Sequence, residues 1–253
     1  MSAVEEHFQR KEGQLPALWH EPAPRHFDQA VAWWFKAAVI VAAVLISIRW
    51  LDYPIAHRTL ATRPIPDLFD PQAKHNDIAR ELMLLEQWGQ WVCSALVIMA
   101  VAMLDPRGRR RALAIALGCL CTVLLTYVLK DVFGRSRPMV FHDGTWQWGG
   151  PAMGFVKGAE WGSFPSAHTT GAFALSVGLS WFYPRARGLF MGLAVMTAVQ
   201  RVLHSAHFLS DVIAGMGLSV LVTRWSLRAK LAGRFIARMP AGLREWMLRD
   251  SGS

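Results

Sequence analysis

Six apolar stretches recur along the chain, and polar segments separate them. Each stretch is about 16 to 23 residues long, close to the roughly 20 residues that a helix needs to cross a bilayer. The pattern therefore predicts an all-α integral membrane bundle of six transmembrane helices, at residues 30–50, 82–104, 112–129, 167–183, 188–203 and 207–225.

The polar segments divide the chain into three parts. Residues 1–29 are polar and are expected to form a cytoplasmic N-terminal tail, whereas residues 30–226 form the membrane domain. Within that domain, residues 51–81 are expected to form a long polar loop. Residues 227–253 are expected to form a basic amphipathic segment on the cytoplasmic membrane surface, since apolar residues recur there at helical spacing, at Leu227, Leu231, Phe235 and Met239.

Composition and charge support a membrane protein. The 253 residues are 53% hydrophobic and carry a formal net charge of +9, which excludes a disordered chain, and three cysteines are too few for a disulfide scaffold. Of the 27 Lys and Arg residues, 17 fall on one side of the six-helix topology. The positive-inside rule places that side, with both termini, in the cytoplasm. The basic residues are dispersed, which argues against a nucleic-acid partner.

Ionisable residues collect on the other, less basic side of the predicted bundle. Ionisable groups at membrane depth are costly and usually functional. Three cations there suit a phosphate group, and a serine hydroxyl and the N-terminus of the fourth helix can add hydrogen bonds. The set consists of Lys130, Arg137, Ser166, His168, Arg201, His207 and Asp211.

His207 and Asp211 are spaced i, i+4, so a helix would place them on one face. The carboxylate can then hold the imidazole in one tautomer and stabilise its cation. This arrangement suits attack on phosphorus by His207, with His168 protonating the leaving oxygen and later activating water.

Three motifs in order resemble the type 2 phosphatidic acid phosphatase (PAP2) superfamily. Lys130 to Pro138 matches K-x6-R-P, Phe164 to His168 resembles P-S-G-H, and Arg201 to Asp211 matches R-x5-H-x3-D. The chain departs from the family at two positions, since Ala167 stands where Gly is usual and Gln200 where Ser is common.

The resemblance implies a phosphatase that needs no cofactor and no metal and acts through a phosphohistidine. His207 would be the nucleophile, Asp211 its partner and His168 the acid, while phosphate would be bound by Lys130, Arg137, Ser166 and Arg201. Bacterial relatives act on undecaprenyl diphosphate, phosphatidylglycerophosphate, phosphatidate or lipid A phosphates. The resemblance therefore implies a multi-pass bacterial inner-membrane enzyme with an extracytoplasmic site and a lipid phosphate as its partner, and it leaves the oligomeric state open.

Other interpretations stay open at this point. A phosphotransferase would use the same phosphohistidine and a lipid acceptor, whereas a lipid or phosphate transporter would bind without chemistry. His204, His207 and Asp211 are possible metal ligands, but the surrounding cations would repel a divalent ion. Arg135 is expected to be an ordinary helix-end cation or a loop residue near the site.

Overall fold

The computed structural model describes residues 26–62, 81, 83–140, 146–152 and 160–248. Within these residues the regular structure is helical, apart from two isolated bridges that pair Arg135 with Trp148 and Ser136 with Trp161. The predicted all-α class is therefore confirmed. The α-helices are α1 (His26–Ile46), α2 (Asp52–Thr62), α3 (Trp91–Leu104), α4 (Gly108–Phe133), α5 (Ala167–Phe182), α6 (Arg187–Leu203), α7 (Leu209–Arg228), α8 (Leu231–Ala237) and α9 (Ala241–Leu248).

The chain divides into two compact units, Met1–Ala38 and Val39–Ser253, and the boundary falls inside α1. In the described part of the first unit, the rings of Trp33 and Trp34 meet edge to face, 4.8 Å apart. The second unit carries the remaining helices and every residue of the site described below.

Helix α5 is the central element of the second unit, where it packs against α4, α6 and α7. Every residue from Thr169 to Leu179 is buried, and most of them are small. Small side chains let neighbouring backbones approach closely and let hydroxyls bond to carbonyls across helices. Ser219 of α7, for example, donates to the Thr170 carbonyl at 2.8 Å. Larger apolar side chains, among them Ile115, Phe173 and Leu175, fill the spaces around this contact surface.

The first membrane helix is longer than the sequence predicts. We expected a polar loop from residue 51, but α1 continues through a π-helical turn (Ser47–Leu51) into α2, which ends at Thr62. The expected loop boundary is wrong because Asp52, Ala56 and Thr59 are buried against the rest of the bundle. Residues 63–80 of the expected loop lie outside the described residues.

A short 3-10 helix, Leu85–Gly89, precedes α3. The second span was predicted from residue 82, but α3 begins only at Trp91, after the extended residue Gln90. The turn is held by the Thr197 hydroxyl, which donates to the Leu85 carbonyl at 2.8 Å, and by the Trp88 indole, which donates to the Ser176 hydroxyl at 2.9 Å. This segment is therefore part of the packed bundle.

Three described helical segments are long and apolar enough to cross a membrane: Ala32–Thr62, Gly108–Phe133 and Pro184–Leu203. The helix Trp91–Leu104 is apolar but shorter. Large apolar side chains on the outer face of α4 are exposed, among them Leu120, Leu124 and Val128, as expected of a surface that faces lipid. The chain is a membrane protein, and the full count of six spans stays a prediction.

Candidate functional site

The segment after α4 carries two of the predicted phosphate-binding cations. Gly134 ends α4 in the left-handed conformation (φ 51°), which glycine adopts without the steric cost of a side chain, and its N–H donates to the Lys130 carbonyl at 2.9 Å. The chain then runs extended through Arg135 and Ser136, each in a single bridge to a tryptophan. Lys130 and Arg137 thus enter the site from a helix end and from the strand-like segment after it.

His207 lies between α6 and α7 and is 2% exposed. Its Nδ1 is 2.9 Å from the Ser163 carbonyl oxygen and 3.7 Å from Oδ2 of Asp211. A carbonyl oxygen only accepts hydrogen bonds, so Nδ1 carries the proton in this contact and Nε2 carries the lone pair.

His207 and Asp211 were expected to lie on one face of the sixth helix, but in the structure only Asp211 is in that helix. His207 was predicted to open the sixth helix, but α7 begins at Leu209 because Phe208 is its extended N-cap residue. The Asp211 side chain caps this end by accepting the Phe208 N–H at 2.9 Å. The predicted pair is therefore brought together by a turn before the helix, and Ser163 makes the hydrogen bond to the imidazole.

Asp211 is completely buried and receives two further hydrogen bonds. The Ser163 hydroxyl donates to Oδ2 at 2.5 Å, and the Arg135 guanidinium donates to Oδ1 at 2.6 Å. Because a carboxylate buried without partners is very unfavourable, these donors stabilise the Asp211 side chain beside His207.

The predicted cations surround His207 closely enough to act on its charge. Burial holds the pKa of His207 well below its usual value, and the charges of Arg137, Lys130 and Arg201 lower it further. Burial and the charge of Arg201 also lower the pKa of Arg137. His207 is therefore neutral near pH 7, as a nucleophile must be.

The three cations differ in their partners. Lys130 donates to the Gly162 carbonyl, and Arg201 forms an ion pair with Glu86. The Nε atoms of Arg137 and Arg201 are buried donors without a partner among the described residues. Donors of this kind suit an anion with several oxygens, and phosphate fits them.

Ser166 and His168 lie at the start of α5. Ser166 is the buried N-cap residue, and its Oγ accepts hydrogen bonds from the Thr169 hydroxyl at 3.1 Å and the Thr169 N–H at 3.5 Å. Its own hydroxyl proton is left to donate. His168 Nε2 lies 2.9 Å from Nε2 of Gln90. The amide nitrogen donates in this contact and the ring nitrogen accepts, and rotation of the amide would present its oxygen to a protonated ring.

Five residues that hold this arrangement were not predicted as site residues. Three of them contact predicted residues directly: Ser163 contacts His207, Glu86 contacts Arg201, and Gln90 contacts His168. The other two are Arg135 and Asp52, since Arg135 bonds to both Asp211 and Asp52. A signal for two of them was present in the sequence, because Glu86 and Asp52 are acidic residues close to apolar runs. Of the two expectations for Arg135, the helix-end cation is wrong because its side chain is fully buried, and the residue lies near the site in the segment after α4, as the other expectation has it.

A cleft of about 350 Å³ opens between α3 and α4 and reaches the site. Gln90 and His168 line its polar end, and the rest of the lining is mostly apolar, including Ile98, Cys119 and Leu120. In the described part of the chain, no three His, Cys, Asp or Glu residues are grouped as metal ligands.

The model of the PAP2 superfamily matches residues 111–233. Residues 111–233 belong to the PAP2 superfamily. This PAP2 segment contains all seven predicted site residues, whereas Asp52, Glu86 and Gln90 lie outside it.

Similar proteins carry phosphatase names. The lipid A 1-phosphatase of Rhizobium etli is 35% identical over 118 residues, which cover 43% of this chain and 49% of that protein. An undecaprenyl-diphosphatase of Bacillus subtilis is 22% identical over 149 residues, which cover 58% of this chain and 73% of that protein. The chain spans about half the length of the lipid A 1-phosphatases that it matches.

A solved structure supports the fold. The transmembrane PAP2-type phosphatidylglycerolphosphate phosphatase of Bacillus subtilis aligns with a TM-score of 0.51 and 18% identity, covering 83% of this chain and 97% of that one. At this identity the comparison shows a PAP2-like fold.

Proposed function

We propose that the protein is a membrane lipid phosphatase that hydrolyses a lipid phosphate or pyrophosphate through a phosphohistidine, without a metal. The contact between His207 and the Ser163 carbonyl carries the proposal. It supports a proton on Nδ1 and a lone pair on Nε2, which can then act as the nucleophile among three cations. Binding alone would not require a histidine held in this tautomer, which favours an enzyme over a transporter.

In the first step, Nε2 of His207 attacks phosphorus and the bond from phosphorus to the lipid oxygen breaks. His168 donates a proton to that oxygen, so that the lipid leaves as an alcohol or as a lipid monophosphate. The imidazole keeps its Nδ1 proton and becomes positively charged, and Asp211 stabilises that charge. Lys130, Arg137, Arg201 and the Ser166 hydroxyl bind the phosphoryl oxygens.

In the second step, water attacks the phosphohistidine. His168, now neutral, accepts a proton from that water, the bond between phosphorus and Nε2 breaks, and inorganic phosphate leaves. His168 therefore acts as the acid in the first step and as the base in the second.

The substrate class follows from the cleft and the relatives. The apolar cleft between α3 and α4 can hold a hydrocarbon chain with its phosphate near His168. The named activities of similar proteins make a lipid A phosphate and undecaprenyl diphosphate the first candidates. We also propose that the site faces the extracytoplasmic side of a bacterial inner membrane, that residues 1–29 and 227–253 are cytoplasmic, and that residues 30–226 form the membrane domain.

The proposal is tested by phosphate release from the full-length protein in detergent. A panel of lipid A phosphates, undecaprenyl diphosphate, phosphatidylglycerophosphate and phosphatidate would be offered with and without EDTA. We expect release from at least one lipid, unchanged by EDTA and reduced at least about 10³-fold in His207→Ala.

The matched control is His57→Ala, because His57 is an exposed histidine of α2 that stacks on Tyr53. This variant is expected to retain wild-type turnover. Release that persists in His207→Ala would contradict the proposed nucleophile, and release abolished by EDTA would contradict the metal-free mechanism. Transfer of the phosphate to an added lipid alcohol in place of water would identify a phosphotransferase.

A further inference from the structure

Asp52 is a buried carboxylate on a helix outside the PAP2 segment. It is the first residue of α2 and has no exposed surface. It accepts hydrogen bonds from the Ser47 hydroxyl at 3.0 Å, the Ser210 N–H at 2.9 Å, the Ser210 hydroxyl and the Arg135 guanidinium at 2.8 Å. So many donors are what an ionised carboxylate needs in the interior of a protein.

Arg135 joins Asp52 to the candidate catalytic pair. One end of its guanidinium donates to Asp52 and the other to Asp211, and the ring of Phe208 lies 4.0 Å from its Cζ. Its backbone carbonyl accepts the N–H groups of Gly162 and Ser163, at 2.8 and 2.7 Å. Arg135 therefore holds both groups that contact the imidazole of His207, the carboxylate of Asp211 and the turn that carries Ser163.

The net charge of the cluster formed by Asp52, Arg135 and Asp211 decides how strongly Asp211 can stabilise a positive imidazole at His207. Arg135 alone would neutralise Asp211, and Asp211 would then stabilise a positive imidazole only weakly. With Asp52 included, two carboxylates share one guanidinium, and the cluster keeps one net negative charge. Charges interact strongly away from bulk water. That remaining negative charge lies beside His207, where the transfer step creates a positive one.

We propose that Asp52 is a positioning residue for the phosphoryl transfer. It holds Arg135 and neutralises its charge, so that the charge of Asp211 remains available to the His207 imidazolium. This inference rests on the proposed function. Asp52 does not contact the phosphate-binding cations in the described structure, so it acts on the rate of transfer and leaves phosphate binding unchanged.

The test compares Asp52→Asn with wild type in the full-length detergent-solubilised protein. Asparagine has the same shape and keeps an acceptor oxygen, but it lacks the charge. We expect kcat to fall about 10- to 100-fold, with KM and the inhibition constant of inorganic phosphate within about twofold of wild type. Asp131→Asn, at an exposed position near the end of α4, is the matched control and is expected to keep wild-type kcat.

A double variant separates compensation of charge from a purely structural role. Asp52→Asn with Arg135→Gln removes both charges of the pair, so Asp211 is no longer neutralised. We expect its kcat to exceed that of Asp52→Asn and to remain above about a tenth of wild type. Because neither Asp52 nor Arg135 is left charged without its partner, the double variant provides the test if Asp52→Asn does not fold.

The outcomes are distinguishable. Normal kcat in Asp52→Asn, or a double variant as slow as His207→Ala, would overturn the inference while leaving an active wild type and the proposed function intact. Loss of phosphate binding together with kcat in Asp52→Asn would also overturn it, because it would show a general structural role. A wild type that releases no phosphate from any lipid would contradict the proposed function and this inference with it.

Discussion

At the scale of single residues, the site depends on which atoms pair with His207. The Ser163 carbonyl, and not Asp211, lies at hydrogen-bond distance from Nδ1. The spacing of His207 and Asp211 could be read from the sequence, but the contribution of Ser163 could not, because it depends on how a separate turn folds against α7. The sequence allowed Arg135 to be a loop residue near the site, but its ion pairs could not be predicted, since its two carboxylate partners are 83 and 76 residues away in the chain.

Glu86 is the residue for which the structure makes the clearest further prediction. Its carboxylate pairs with Arg201, at the place where the proposed phosphate would bind. A phosphate must compete with this carboxylate for the guanidinium, so Glu86→Gln should strengthen phosphate binding. We expect the inhibition constant of inorganic phosphate to fall about three- to tenfold, measured against turnover of the preferred lipid.

The control for this experiment is Glu81→Gln, which changes an exposed acid close to the same segment. It should leave the inhibition constant unchanged. Weaker inhibition by phosphate in Glu86→Gln would show that Glu86 orients Arg201 for binding and does not compete with the phosphate.

At the scale of helices, the turn Leu85–Gly89 must lie very close to α5. A Cβ on Gly171 would stand 2.6 Å from the Gly89 carbonyl oxygen, and a Cβ on Gly89 would stand 2.2 Å from the carbonyl oxygen of His168. These are backbone atoms that cannot rotate away. The close contact places Gln90 beside His168 and Glu86 beside Arg201.

Gly171→Ala should therefore push the turn away from α5. We expect a loss of about 1 to 3 kcal/mol of stability, together with lower turnover, because His168 loses its contact with Gln90. Thermal unfolding in detergent and phosphate release measure the two effects. Gly188→Ala is the control, since no heavy atom of the described residues lies within 4 Å of a Cβ there, and it should be nearly neutral. Equal effects of the two variants would contradict the packing argument.

Helix boundaries show where the hydropathy pattern is informative. The bounds of α5 and α6 were predicted to within one residue, because a polar or basic turn ends each apolar run. The extension of α1 into α2 was not predicted, because the residues after Leu51 are polar. Their burial comes from partners such as Arg135 and Ser205, which hydropathy along one segment cannot show.

At the scale of the whole molecule, the fold class and the family could be predicted from the sequence. Three motifs in order identified the PAP2 segment, which the family model matches, and the structural comparison agrees with the fold. The central place of α5 could not be predicted, because its small and hydroxyl-bearing residues lower its hydropathy while they allow close packing. Three of the residues that support the site, Asp52, Glu86 and Gln90, lie outside the PAP2 segment, whereas Ser163 and Arg135 lie inside it.

The covalent intermediate on His207 is the central claim, and trapping it is the most direct test. The full-length protein would be mixed with its preferred lipid labelled with ³²P in the scissile phosphate, and quenched in alkaline detergent within one turnover. We expect label on the protein that is stable to alkali, lost in acid, mapped to His207 and missing from His207→Ala. Turnover of the same lipid with no labelled protein at any quench time, or label on another residue, would contradict it.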